Sequence, residues 1–391
     1  MIQLGNKMMV GNKEQLISQV RSEFKKQFKI KPKLITLTPG RVNIIGEHTD
    51  YNKGLAMPTA IDRWICAAVC ESPDKLFTIH SLNYNDKVVI TYQGVEKFRE
   101  VWKRLATTTV RVISERYNIN AGATMVIGGN LPIGCGLSSS SALVISIARS
   151  ICHLFNIDML DRQLARLCQK IENRALGTAG GLLDQYAIIL SKKDKFMFID
   201  FKDDSIEYIP AILNDCTWIV VNSQVSRELS QSAYLQRVKE CKEGLKILKK
   251  ESGISSFRDI DYPALELLKE KPVILYNRLC HVVAENQRVL DMKDQLKGGT
   301  AEKVGAILRE AHKSLRYLYE VSCEEIDYMI EMSEGMDGWF GGRIMGGGFG
   351  GCSIHLLENK AVEDFTHHII ENYRKKFQII PEVMNVTFPG G

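Results

Sequence analysis

The sequence predicts an α+β protein of two domains, or one large one. Three observations carry that expectation. At 391 residues the chain exceeds the usual ~100–200 residues of a single domain. Strand-like and helical patterns mix without the regular strand–helix alternation of a doubly wound sheet. The strand-like runs fall early and return at the end, around a long helical middle.

The elements follow in order. Leu16, Val20, Phe24 and Phe28 share one face of a helix over 11–29. Short apolar runs predict strands at 64–70, 76–81 and 87–92. Phe98, Trp102, Leu105 and Val112 predict a helix over roughly 95–117. A strand at 123–128 leads into a Gly-rich turn. Helices then dominate 138–191, and strands at 195–201 and 216–222 flank a turn-rich stretch. From 227 to 335 the chain reads as mostly helical. Strands at 352–357 and 382–387 enclose a helix at 361–375 and are expected to join a sheet in the second domain. The shift to helix places a boundary near 210–225, giving domains 1–215 and 216–391.

Composition excludes several classes. Hydrophobic residues are 45% and charged residues 25%, as in a globular domain. A net charge of +5 is too small to argue for nucleic acid. No apolar run approaches the roughly 18 residues that cross a bilayer, and the first ten residues lack a signal-peptide pattern. Ten cysteines without a CxxC suggest neither zinc nor disulfides. Cys66 and Cys70 fall in an expected strand and Cys135 in a Gly-rich loop. They read as reduced thiols of a cytoplasmic protein. His367 and His368 lie on the C-terminal helix without companion ligands at metal spacing, and read as surface residues.

Three motifs carry chemistry. Residues 39–52 place Arg41, Glu47, His48 and Asp50 among Gly40, Asn43, Gly46 and Asn52. Carboxylates accept hydrogen bonds from sugar hydroxyls and an arginine holds phosphate; taken alone, the stretch equally suits a solvated turn. Residues 131–143 place Gly134 and Gly136 before Leu137 and Ser138, Ser139, Ser140 and Ser141, which open an apolar helix. Backbone N–H groups at a helix start form an anion site, although a serine N-cap after a loop has the same pattern. This is no Walker A loop, because no Gly-Lys-Ser/Thr follows. Residues 342–352 hold five glycines between Gly346 and Gly351, which suggests backbone pressed against a ligand or another segment. Asp184 follows small residues and, alone, could be a cap or a surface group.

Together these stretches resemble the galactokinase, homoserine kinase, mevalonate kinase and phosphomevalonate kinase superfamily, and galactokinases within it. Residues 39–52 resemble the galactokinase signature. Residues 132–140 match the superfamily's phosphate-binding pattern Pro-x-Gly-x-Gly-Leu-Ser-Ser-Ser, and 342–352 its C-terminal Gly-rich motif. Asp184 and Gln185 match Gly-x-Met-Asp-Gln, with Leu183 for methionine, a volume-conserving change. Residues 222–241 resemble a further galactokinase block that includes Tyr234; Ser226 replaces the first of its basic pair and Arg227 keeps the second. Residues 281–290 and 312–323 are also similar to the family, with Tyr317 and Leu318 where acidic residues are common.

The resemblance implies the superfamily's two-domain small-molecule kinase fold. It implies ATP-dependent phosphorylation of α-D-galactose at the anomeric hydroxyl, giving galactose 1-phosphate and ADP. Asp184 and Arg41 would be catalytic. Glu47, His48, Asp50, Gly181 and Tyr234 would recognise the sugar. Gly134, Gly136, Leu137 and Ser138 to Ser141 would hold ATP, with Mg²⁺ on Ser140 and Glu172. Two alternatives attach to it. Thr178, Ala179, Gly180 and Gly181 resemble kinases of N-acetylgalactosamine, where a glycine at 180 could leave room beside C2. A non-catalytic galactose- and ATP-binding regulator would share the fold, but such proteins tend to lose residues from the serine loop.

Overall fold

The computed structural model describes residues 9, 11–91, 98–211, 213–225 and 230–391. Helix α1 (Lys13–Phe28) starts at a capping box in which Asn12 and Gln15 each accept the other's backbone N–H. It buries Leu16, Val20 and Phe24. Strands β1 (Leu34–Asn43), β2 (Leu55–Ala56), β3 (Pro58–Ser72), β4 (Phe77–Ser81) and β5 (Asp86–Ile90) follow, then α2 (Val101–Tyr117) and β6 (Gly122–Gly129). Five of these strands form one sheet in the order β1-β3-β6-β4-β5, antiparallel except for β4 beside β6. Both faces of β3 are covered over 64–70, which is why that stretch is an unbroken apolar run. Cys66 and Ala68 face α1, while Ala67 and Val69 join the main core.

That core is closed by α2, α3 (Ser139–Leu154), α4 (Asp161–Leu176) and α5 (Leu183–Leu190). Strands β7 (Lys195–Asp200) and β8 (Ser205–Pro210) pair with β2 in a small sheet. Strand β9 (Cys216–Asn222) precedes five helices: α6 (Ser230–Ser252), α7 (Tyr262–Glu266), α8 (Val273–Gly298), α9 (Ala301–Tyr317) and α10 (Glu324–Ser333). The chain ends with β10 (Trp339–Ile344), β11 (Cys352–Glu358), α11 (Val362–Phe377) and β12 (Glu382–Asn385). These last strands form the antiparallel sheet β10-β11-β9-β12. Alternate residues of β9 feed two cores: Trp218 and Val220 the first, Ile219 and Val221 a second under α6, α8, α10 and α11.

Four expectations need correction. The Pro39–Gly40–Arg41 stretch is the end of strand β1, not a loop. Its ladder with β3 shifts register between Pro39 and Gly40, so the sheet absorbs the two strand-breaking residues as an irregularity. The turn-rich stretch after β7 contains β8, an edge strand too short to stand out by pattern. The second predicted helix starts at Val101, with 98–100 non-helical and 92 and 95–97 outside the described residues. His368 is half-buried, its Nε2 3.0 Å from the Met332 carbonyl, whereas His367 is exposed near Glu371.

All ten cysteines are free and seven are buried. Among the described residues no helix is long and apolar enough to cross a membrane.

Candidate active site

Strand β1 delivers the first motif to the middle of the molecule. A side chain at Gly40 would stand 2.3 Å from Leu131 Cδ1 and 3.1 Å from the Leu137 carbonyl. Glycine there lets the 131–137 loop lie directly on the strand. The next residue, Arg41, donates from Nε to Asp184 Oδ1 at 2.6 Å and from Nη1 to the Gly136 carbonyl at 2.5 Å. Its side chain is 7% exposed against 33% for Asp184. The pair therefore has a buried cation and an open carboxylate.

Beyond β1 the chain turns sharply, with His48 at φ 63°. Helix α8 holds this turn: Glu285 Oε1 accepts the N–H groups of Gly46 and Glu47 at 2.9 and 3.2 Å. Burial acts to raise the Glu285 pKa, but Arg288, His281 and Arg343 outweigh it and hold the carboxyl down at about 2. Glu47 is anchored within the protein. Its Oε1 lies 3.2 Å from Arg343 Nη1 and accepts the Gly346 N–H at 2.8 Å; its Oε2 accepts from Asn43 at 2.8 Å. Arg343 is wholly buried and also donates to the carbonyls of Asn43, Ile44 and Ile344. Glu47 and Arg343 thus fasten the Gly-rich third motif to the first.

The 131–138 loop runs through left-handed backbone at Gly134, Gly136 and Ser138, with φ of 74°, 82° and 58°. Ser138 occupies the N-cap of α3 but makes no side-chain cap, and its buried Oγ has no protein partner. Ser139 Oγ lies 3.5 Å from the Gly134 N–H. Ser140 and Ser141 both donate to Glu172, each at 2.6 Å, and Gln185 Nε2 adds a bond of 2.7 Å. These three neutral donors favour ionised Glu172, yet burial prevails and raises its pKa. Gln185 sits between the phosphate loop and Asp184, its chain neighbour at the start of α5.

Opposite Arg41 and Asp184 stands the other wall. His48 Nδ1 is 2.9 Å from Tyr51 Oη, which is 2.8 Å from Tyr319 Oη. The His48 ring lies against Tyr234 and Tyr319, with centroids 5.5 and 4.7 Å away. Burial, helped by His281 and Arg237, pushes His48 down to about 3, so its imidazole is neutral at physiological pH. Burial and the nearby Asp184 push Asp50 up to about 6. A Cβ at Gly181 would come within 2.0 Å of Asp50 Oδ2, so only glycine allows that approach.

Arg41, Glu47, His48, Asp50, Glu172, Gly181, Asp184 and Tyr234 all line one cleft of about 230 Å³. The loop residues Gly134, Gly136, Leu137 and Ser138 to Ser141 do not line it; they border it through Arg41 and Glu172. Leu131, Pro132 and Ile133 line a second cavity of about 220 Å³ with Asn83, Asn222, Gln224 and Glu382. Ser226 and Arg227 lie outside the described residues. Sequence reasoning missed Arg343, Glu285, Tyr51 and Tyr319, and gave Gln185 no role. Glu285 falls within the family-like 281–290 stretch and Tyr319 within 312–323, which was the available signal. For Arg343 the signal was its place at the head of the Gly-rich motif.

Comparisons agree with this geometry. Residues 104–192 match the family model of the GHMP kinases N terminal domain, and 22–71 that of the galactokinase galactose-binding signature. A galactokinase of Roseiflexus is 33% identical over 357 residues, covering 91% of each chain. One from Thermotoga maritima is 37% identical over 341 residues, 87% of this chain and 94% of that one. The solved Lactococcus lactis galactokinase complexed with galactose superimposes with a TM-score of 0.89 at 28% identity, over 96% of this chain and 98% of that one. With near full-length relatives above 30% identity, this chain belongs to the galactokinase family.

Proposed function

We propose that the chain transfers the γ-phosphoryl group of ATP to the anomeric hydroxyl of α-D-galactose, giving galactose 1-phosphate and ADP. One observation carries the reading: the Arg41–Asp184 pair sits between a carboxylate- and aromatic-lined wall and the Glu172–serine cluster. Phosphoryl transfer asks mainly for positioning and charge neutralisation. Asp184, the open member of its pair, accepts the proton of the attacking hydroxyl or orients it. Arg41 faces the charge that builds between that hydroxyl and the transferred group. Asp50, neutral His48, Tyr234 and the Gly181 backbone bind sugar hydroxyls. Glu47 also lines the cleft, and its Oε2, which accepts only from Asn43, has capacity left for a sugar hydroxyl.

The N–H groups of the loop from Gly134 to Ser141 hold the phosphates, with the α3 dipole behind them. Ser138, whose hydroxyl is not spent on capping, is free to contribute. The second cavity, bounded by Leu131 to Ile133, suits the nucleoside end of ATP. Mg²⁺ fits Ser140 and Glu172, a set of hard oxygen donors in which the carboxylate has hydroxyl and amide partners but no cation. When bound, the ion would neutralise phosphate charge. The reading treats 1–215 and 216–391 as two lobes around the cleft. In its support, Tyr234, Gly346 and Gly347 come from the second part and the remaining cleft residues from the first.

The test is ATP consumption by purified protein with galactose, N-acetylgalactosamine, arabinose and mevalonate. Galactose should be turned over fastest; turnover of mevalonate alone would overturn the reading. Gly180 has ordinary backbone, with Asn173 Oδ1 3.4 Å from an added Cβ. A cysteine there is therefore tolerated and serves to probe the space beside C2.

A further inference from the structure

A second polar cavity lies outside the cleft, between α2 and the last turn of α4. It measures about 410 Å³. Arg104 and Arg111 stand two helical turns apart on one face of α2, with Thr107 between them, and Arg174 approaches from α4. The buried Arg104 Nε, Arg111 Nε, Arg111 Nη2 and Thr107 Oγ1 have no hydrogen-bond partner. Thr107 is only 4% exposed. Glu115 is the one carboxylate in the lining, and it forms no ion pair with the arginines among the described residues.

Natural proteins seldom leave buried donors unmatched, and charged ones least of all. Guanidinium stays protonated at any physiological pH, so the cavity holds three fixed cations against one anion. Arg104, Arg111, Arg174 and Thr107 line one space, and several guanidinium groups converging there can share the oxygens of one phosphate. Phe98, Val112 and Ala175 add an apolar wall, and the volume exceeds that of the cleft, so an organic group can follow the anion in.

We propose that this cavity binds the phosphate group of a small organic phosphate monoester. The site is separate from the cleft, although both use the last turn of α4: Glu172 and Asn173 line the cleft, Arg174 and Ala175 the cavity.

The test titrates the full chain at constant ionic strength with inorganic phosphate and with glycerol 3-phosphate. Calorimetry and the arginine Nε–Hε resonances report binding. Both probes should saturate, the ester more tightly, and the Arg104 and Arg111 resonances should shift. Arg111→Gln should weaken the ester by about tenfold or more. Arg111→Lys, which keeps the charge and loses the fork, should fall between. Unchanged melting and unchanged turnover in both variants show that the fold is intact. Binding that survives the Arg104→Gln/Arg111→Gln double variant, or that Ser140→Ala abolishes, puts the anion in the phosphate loop and overturns the proposal. So does a response that sodium chloride reproduces. Phosphate binding as tight as the ester's overturns the ester and leaves a site for the free ion.

Discussion

Two arginine–carboxylate pairs each take one member from the same short segment, Arg41 and Glu47, and they are built for opposite purposes. Arg343 and Glu47 are almost completely buried, and every oxygen and nearly every N–H of the pair is matched inside the protein. Arg41 is equally buried, but its partner Asp184 is one-third exposed and faces the cleft. The buried pair chiefly holds; removing either member strands a charge. The open pair has spare acceptor capacity aimed at solvent, and that is what a reacting hydroxyl can use. Ion-pair chemistry alone does not separate a catalytic pair from a structural one. The count of remaining valences does.

The comparison breaks most visibly at Asp184. Asp184→Asn keeps the shape but cannot take a proton, so kcat should fall by about 10²–10⁴-fold while calorimetry still detects galactose. Its melting temperature should fall modestly, because buried Arg41 loses its counter-charge but keeps the amide oxygen and the Gly136 carbonyl. Near-normal turnover would remove Asp184 from the centre of the reaction.

Arg343→Met is the mirror experiment. It strands Glu47 and three backbone carbonyls, and breaking a buried pair costs about 3–5 kcal/mol. The urea midpoint should drop, and kcat of the enzyme that remains folded should change far less than in Asp184→Asn. An unchanged midpoint would mean that Glu47 finds other donors and the clamp is not what joins the motifs.

Ser140→Ala sharpens the contrast on the phosphate side. It should raise the Mg²⁺ concentration for half-maximal activity by about tenfold or more and leave galactose affinity alone. Equal losses for metal and sugar would point to collapse of the Glu172 cluster instead.

The smallest effect belongs to Asp50, whose carboxyl is pushed up to about 6 from an ordinary 3.8 by burial first and Asp184 second. Between those two values the folded chain keeps a proton that the unfolded chain has released. Stability therefore falls as pH rises through that window and stays lowered above it. Asp50→Asn should recover about 1 kcal/mol at pH 8, after discounting for partial exposure, and none below pH 4. It should also weaken galactose binding. In the unsubstituted protein, galactose affinity should decline as pH falls through about 6 and the carboxylate is protonated. Melting curves that show the same difference at both pH values would reject the shifted Asp50.

The sequence by itself determined the helices and most strands, and it supplied the candidate reactive groups. Amphipathic periods such as Leu16, Val20 and Phe24 are local properties, and so is a Gly-Ser run that must turn and expose N–H groups. Motif resemblance then supplied the family and the expected roles of Arg41, Asp184 and Ser140. Only the tertiary structure decided the rest. Pro39 and Gly40 read as breakers until a register shift against β3 and the close approach of Leu131 accommodate them. Glu47 reads only as a sugar ligand until Arg343, some 300 positions away in sequence, and the Gly346 N–H take its Oε1. Glu285 reads as a helical charge until it caps the Gly46–Glu47 turn. All three depend on partners that arrive from distant segments and that no local pattern encodes; for the two carboxylates, the role depends on which donors reach them.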